Sequence, residues 1–459
     1  MLLFKNAIVL TMNETRQVYL DGAVAVDGDS IAAVGRTEDL LEKFSYDRIV
    51  DAKDKLLMPG FVNAHVHLFQ TLYRGMGDDL LLADWLAKCI YPLSYYLDED
   101  ASRVGAELSA LEMLRTGVTT YVDSHYITRD KRCYDGIAQG TLHTGIRGVI
   151  GRSTVNSTDT TPEPFRESID TAQRECARVI EAYHNHPSGL LTVRVEPLNE
   201  SSTTPDMIRA MYEVAKQYNV GMSMHLAETI VRYQSTLERF GKTPVAYLND
   251  LGVLGSHILL AHCIWLNKTD IAVLKNTGSN VVYNAVSNQY LADGIADIAG
   301  MDRAGVSVAL GADGAASNNS LNMFQVLKSA VLLQRANTLD VFSLTAQRVL
   351  EMATIDGAKA IGMADRIGSL EAGKKADLLL LDLNDVTMTP RKSCISNIVY
   401  SANTSAVDTV MVNGKILLED GEFTSIDEQA VYRSANQTLN RLAEKSGYSF
   451  QPCSWPIVS

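Results

Sequence analysis

Apolar residues fall into short runs broken by turn signals at both ends of the chain. Residues 22–26 lead through Asp27-Gly28 into 30–34, and Asp-Gly between apolar runs favours a tight hairpin because glycine tolerates positive φ. Near the other end, 407–412, Asn413-Gly414 and 415–418 repeat the pattern, and Ala376-Asp377-Leu378-Leu379-Leu380-Leu381-Asp382 reads as a buried strand. Neither end supplies enough strands for a stable sandwich by itself. The economical arrangement is one small β-sandwich domain built from 1–58 and 371–426, with the middle of the chain inserted.

That middle, residues 59–370, alternates strands with helices. Strands are predicted at 61–65, 118–122, 146–150, 191–196, 220–225, 258–261, 280–283 and 306–310. Between them, 98–116 carries Val104, Leu108, Leu111 and Leu114 on one helical face before Gly117, and 163–186 reads as a helix closed by Pro187. Short apolar strands separated by helices imply a parallel sheet covered by helices, and eight of them suit a (β/α)8 barrel. The competing open sheet would bind a nucleotide at a glycine-rich first turn, and no GxGxxG follows the first strand. Residues 427–459 form a C-terminal helical extension, with a helix over 428–445 and a Pro-containing tail that covers the barrel or a neighbouring subunit.

The 459 residues carry 41 Lys+Arg against 54 Asp+Glu, a formal net charge of -13. An acidic surface argues against non-specific binding to nucleic acid or anionic lipid. Six scattered cysteines without a CxxC pair exclude a disulfide framework and a zinc-finger pattern. With no signal peptide and no apolar stretch near 18 residues, a cytoplasmic protein is expected.

Only nine histidines are present, and four of them, His65, His67, His225 and His262, end predicted barrel strands. The C-terminal rim of a barrel is where reactive groups converge. His65 and His67 are two apart, so both side chains leave an extended backbone on the same side. Asp313 follows the eighth strand. Three imidazoles and a carboxylate suit Zn²⁺ or Fe²⁺ with a water in an open position.

These segments resemble the amidohydrolase superfamily, in the branch of S-adenosylhomocysteine/methylthioadenosine deaminases and s-triazine hydrolases such as atrazine chlorohydrolase and melamine deaminase. The resemblance rests on Pro59-Gly60-Phe61-Val62-Asn63-Ala64-His65-Val66-His67, Gln70-Thr71-Leu72-Tyr73-Arg74-Gly75, Asp84-Trp85-Leu86, His225-Leu226-Ala227-Glu228-Thr229, Ala261-His262-Cys263 and 311–319, continuing in 353–358. It implies a distorted (β/α)8 barrel with the split β domain, one divalent metal (zinc first, iron second) on His65, His67, His225 and Asp313, and Glu228 and His262 as proton carriers beside Asp313. The family's binuclear members use a lysine on the fourth strand. Residues 191–196 have none, which favours a single ion.

The implied reaction is hydrolytic deamination of an amino-substituted aromatic N-heterocycle, a purine, pterin or pyrimidine-like base, with release of ammonia. Hydrolysis of an s-triazine or chloro-heterocycle is the close alternative. An adenosine-type nucleoside deaminase ranks third, because Ser94 stands where those enzymes carry a ribose-binding glutamate. Gln70, Trp85, Tyr91, Ser94, Glu196, Asn199, Tyr283 and Asn288 are the candidate substrate contacts. Trp85 and Tyr91 would stack on a flat ring or seal the barrel mouth. Glu196 stands in place of a family histidine and would accept hydrogen bonds from exocyclic amines, and Tyr283 replaces another histidine. A catalytically silent binding barrel would have lost one of His65, His67, His225, Glu228, His262 or Asp313, and all six are present. A homo-oligomer is implied by the resemblance, and no nucleic-acid or membrane partner is expected.

Overall fold

The computed structural model describes residues 1–449. The Pro-containing tail and Cys453 lie outside them. Both chain ends enter one nine-stranded sheet, in the order Glu422–Phe423, Lys415–Glu419, Val407–Val412, Leu378–Asp382, Lys55–Pro59, Leu2–Leu10, Val18–Asp27 and Ser30–Arg36, with Arg48–Asp51 also pairing on Leu2–Leu10. The two ends meet where Leu378–Asp382 runs antiparallel to Lys55–Pro59, Leu380 opposite Leu57. Both expected hairpins are present. At the second, Asn413 and Gly414 have φ of 51° and 77°, so both central residues take the left-handed conformation that a two-residue hairpin turn requires.

The middle of the chain forms a second, parallel sheet of Phe61–His67, Val118–His125, Arg147–Thr154, Leu191–Pro197, Gly221–Leu226, Ile258–His262, Asn280–Tyr283 and Ser307–Leu310. All eight expected strands are there, several running one to four residues further at their C-terminal ends. The eighth stops hydrogen-bonding at Leu310, then Asp313–Gly314 pairs with the first strand, Asp313 opposite Val66 and Gly314 opposite His67. The sheet therefore curls from its last strand back to its first, as in a barrel of the (β/α)8 type. Val62, Val122, Val149, Leu259, Val282 and Ala309 fill its interior.

Helices follow their caps. Asp98 accepts from Ala101 N–H at 2.9 Å and starts Glu99–Arg115. The helix expected over 163–186 instead spans Ile169–Tyr183, because Ser168 caps Thr171 N–H and the 163–165 turn around Pro164 is separate. Glu428–Ser446 packs Leu439, Leu442 and Ala435 onto a cluster with Phe69, Trp85, Ile90 and Leu93. This extension therefore covers its own barrel mouth, and Arg441 pins it to Asp98. At the junction of barrel and nine-stranded sheet, buried Arg147 reaches Asp377 at 2.7 and 2.9 Å. No helix among the described residues is long and apolar enough to cross a membrane.

Candidate active site

The strand ends carry the site. His67 closes the first strand, and its Nδ1 lies 2.6 Å from the Ser124 carbonyl on the second. His225 is held the same way, Nδ1 3.2 Å from the Leu198 carbonyl. A carbonyl only accepts, so each ring carries a hydrogen on Nδ1 and turns its Nε2 inward. Those two Nε2 atoms are 3.4 Å apart. His65 Nε2 is buried without a hydrogen-bond partner and lies 3.6 Å from Asp313 Oδ1, and His67 Nε2 lies 3.0 Å from the same oxygen.

Lone pairs converging at this range, beside a carboxylate and away from water, are unfavourable until a cation sits among them. The outward hydrogen bonds are the orientation that metal-binding imidazoles adopt. Burial, then the neighbouring imidazoles, hold His65 and His225 well below the ordinary histidine value, hence neutral. Burial opposes the ionisation of Asp313, yet the facing imidazoles keep it well below the carboxylate range. His67 differs: burial lowers its pKa, but the hydrogen bond and charge of Asp313 outweigh that and raise it. A cation among these groups would take the place of that proton, and neutral nitrogens with an ionised oxygen are the donor set a Zn²⁺-sized ion takes.

Beside this cluster stands His262. Its Nδ1 lies 2.9 Å from Asn288 Oδ1, and its Nε2, without a hydrogen-bond partner, faces Glu228 at 3.7 Å and Asp313 at 3.9 Å. Ala227, His262 and Asp313 all have φ between 48° and 72°. Left-handed backbone at three strand ends around one point is the kind of strain that functional sites hold. Glu228 is one residue before Thr229, which caps helix Ile230–Phe240, and Arg232 one turn into that helix pairs with Glu228. The ring of Tyr126 leans edge-on against His67 with centroids 4.8 Å apart, and its hydroxyl accepts from Gln70 Nε2 at 2.9 Å.

A cleft opens above these groups. Of the expected substrate contacts, Gln70, Trp85, Tyr91 and Asn199 line it. The other four do not. Ser94 is fully buried in the packing beneath. Glu196 lies behind His225, 3.8 Å from Nδ1, accepting from Ser124 Oγ at 2.5 Å, and burial raises its pKa to about 8. Tyr283 points into the helical layer, where its hydroxyl accepts from Gln334 at 3.3 Å. Asn288 serves His262. Arg232 and Tyr126 were missed. Arg232 carried a signal, since four residues after Glu228 on a helix start is pairing distance.

Residues 56–417 match the family model described as the amidohydrolase family. The chain belongs to the amidohydrolase family. It is a hydrolase of the class that acts on carbon–nitrogen bonds. A further short match, residues 22–44, is to a bacterial imidazolonepropionase-like composite domain. A 5-methylthioadenosine/S-adenosylhomocysteine deaminase of Caldanaerobacter subterraneus subsp. tengcongensis is 37% identical over 442 residues, covering 96% of this chain and 98% of its own. A zinc-bound adenosine deaminase from Xanthomonas campestris superposes with a TM-score of 0.91 at 30% identity, over 96% of this chain and 98% of that one. The atrazine chlorohydrolase of Arthrobacter aurescens, also with zinc, reaches a TM-score of 0.90 at 24% identity over 96% and 100%, which speaks for the fold.

Proposed function

We propose that this amidohydrolase deaminates the adenine ring of an adenosine-type nucleoside, converting ring C–NH₂ and water to ring C–OH and ammonia. The observation that carries the reading is Glu228 and His262 facing each other across the floor of an aromatic-lined cleft, beside the His65/His67/His225/Asp313 cluster. The likeness to the deaminases named above, along nearly the whole chain, narrows the heterocycle to an adenine-like one. It also moves the nucleoside reading ahead of the free base. Ser94 does not weigh against ribose, because it lies outside the cleft.

His65, His67, His225 and Asp313 would hold one divalent ion, zinc being the expected occupant. When bound, such an ion makes hydroxide available from water near neutral pH. His262, its tautomer set by Asn288, offers a bare Nε2 to accept or steer the proton of that water. Glu228 then delivers a proton to the ring nitrogen next to the reacting carbon, so that negative charge does not accumulate on the ring. Arg232 holds the Glu228 carboxylate in place, and Trp85 and Tyr91 flank the flat ring. The same reading divides the chain into a β domain of 1–58 and 371–426, a barrel of 59–370 and an extension of 427–459, with self-association carried by the family resemblance.

The test is a panel of adenine, adenosine, 5'-deoxyadenosine, 5'-methylthioadenosine, S-adenosylhomocysteine and atrazine, scored for both ammonia and chloride. Ammonia from the nucleosides, with kcat/KM at least about 100-fold above that for adenine, is expected. Chloride from atrazine without ammonia from any nucleoside would replace the reading.

A further inference from the structure

Three arginines of the barrel are almost wholly buried: Arg147 (1% exposed), Arg152 (0%) and Arg194 (5%). The first two have carboxylate partners, Asp377 at 2.7 Å and Glu167 at 2.8 Å. Arg194 has no carboxylate within ion-pairing distance among the described residues. Its guanidinium donates to the carbonyls of His257 at 2.7 Å and Met222 at 2.9 Å, to Ser223 Oγ at 3.0 Å, and to the Ile361 carbonyl at 3.4 Å. The last is the one contact Nη1 makes, so one of its two N–H groups has no acceptor. Gly221 leaves the room this group occupies, since a Cβ there would sit 2.3 Å from Arg194 Cζ. Burial without a paired carboxylate is the costly way to place a guanidinium; it outweighs the charge of Glu196 further along the strand and lowers the pKa of Arg194 to about 10, still charged at neutral pH.

Arg194 lines a cavity of about 900 Å³ at the N-terminal ends of the strands, opposite the catalytic cleft. Arg366 lines it too, and among the described residues its side chain has neither an ion pair nor a hydrogen bond. His184 stands beside them. Its Nδ1 accepts from Val193 N–H at 3.2 Å, so the neutral ring carries its hydrogen on Nε2. The single acidic residue on the wall, Asp365, is exposed. In a chain of net charge -13, two guanidiniums without acidic partners on one cavity wall are out of keeping with their surroundings.

We propose that this cavity binds a phosphate-sized oxyanion, taken by the free N–H of Arg194, the guanidinium of Arg366 and the Nε2–H of His184. The site is separate from the deamination chemistry. Guanidinium is the group of choice for phosphate because its fork of donors matches the oxygen spacing. Arg194 is two residues before Glu196 and Ser223 two before His225, so an anion here braces the two strands that carry one side of the active site.

The experiment uses the full-length, metal-loaded protein and measures inorganic phosphate by equilibrium dialysis and by Tm, with potassium chloride matched for ionic strength. One saturable site per chain with Kd below about 1 mM, and a Tm rise of about 2 °C or more at saturation, are expected. Glycerol 3-phosphate in a parallel arm separates a free ion from the head of a phosphate monoester; binding of either kind through Arg366 supports the site. Arg366→Glu should weaken binding at least about tenfold while leaving turnover without phosphate within about twofold. Arg194→Met risks the fold, so Gly221→Ala, which displaces the guanidinium, is the second variant. Absence of saturable binding, or an affinity unchanged in Arg366→Glu, would overturn the proposal and leave Arg194 as a seal on the barrel floor.

Discussion

Replacing Glu228 by glutamine isolates proton transfer from everything else the residue does. The amide keeps the length and shape of the carboxylate, and its oxygen can still accept from Arg232. Half-buried Arg232 loses one of three nearby carboxylate side chains, with Glu200 and Asp293 remaining in its surroundings. The structural cost is therefore small. The chemical cost is not, because an amide neither accepts nor delivers a proton at neutral pH. A well-placed proton carrier contributes roughly 10²–10⁴-fold, or about 3–6 kcal/mol of transition-state stabilisation at ~1.4 kcal/mol per decade. We expect kcat for 5'-methylthioadenosine to fall by at least about 100-fold, with KM changed less than about threefold. Ammonia release gives the rates, atomic absorption the metal content, and a thermal melt the integrity of the fold. Glu200→Gln is the matched control. Burial raises the pKa of Glu200, and its carboxylate accepts from Ala227 N–H at 3.1 Å, which an amide oxygen can also do. Its turnover should stay within about threefold. A Glu228→Gln enzyme that keeps its metal and more than a tenth of its kcat would refute the assignment.

Asn288→Ala removes the acceptor that sets the His262 tautomer, so kcat should drop about tenfold or more with little change in metal content; an unchanged rate would leave Asn288 without a positioning role. Arg147→Met strands Asp377 between barrel and sheet and should cost about 3–5 kcal/mol in urea unfolding, whereas a loss under 1 kcal/mol would show that the pair contributes little. Burial lowers the His125 pKa to about 3. The unfolded chain therefore takes up a proton near pH 6.5 that the native state refuses, and stability falls as the pH drops from there toward 3. His125→Gln should flatten that fall by about 3 kcal/mol between pH 6.5 and 4; parallel curves for the two proteins would remove His125 as a contributor.

Strand positions were legible because a buried parallel strand is a short apolar run, and the histidines that end those runs mark the rim. Depth along the strand was not. Glu196 follows Arg194 and Val195, which pair with Gly221 and Met222. One residue further, Glu196 is level with Ser223, two residues beneath His225, so its carboxyl meets the back of an imidazole instead of a substrate. Nothing in the sequence fixes that stagger. Alternation explains Tyr283: Val282 joins the barrel interior, and Tyr283, the next residue, joins the outer packing. Pro164 and Ser168 did carry the helix start that the apolar pattern of 163–186 obscured.

The sheet's last stitch is made by the backbone of Asp313 and Gly314 against Val66 and His67, while the Asp313 side chain faces His65 and His67. Circular permutation would put this arrangement to use. New termini opened elsewhere on the surface leave the stitch sewn, but a chain opened at Gly311 would have to recover its ring closure and its cation donors in one event. On the proposed reading of the site, refolding such a permutant would therefore depend on a dissolved divalent cation far more steeply than refolding the parent chain.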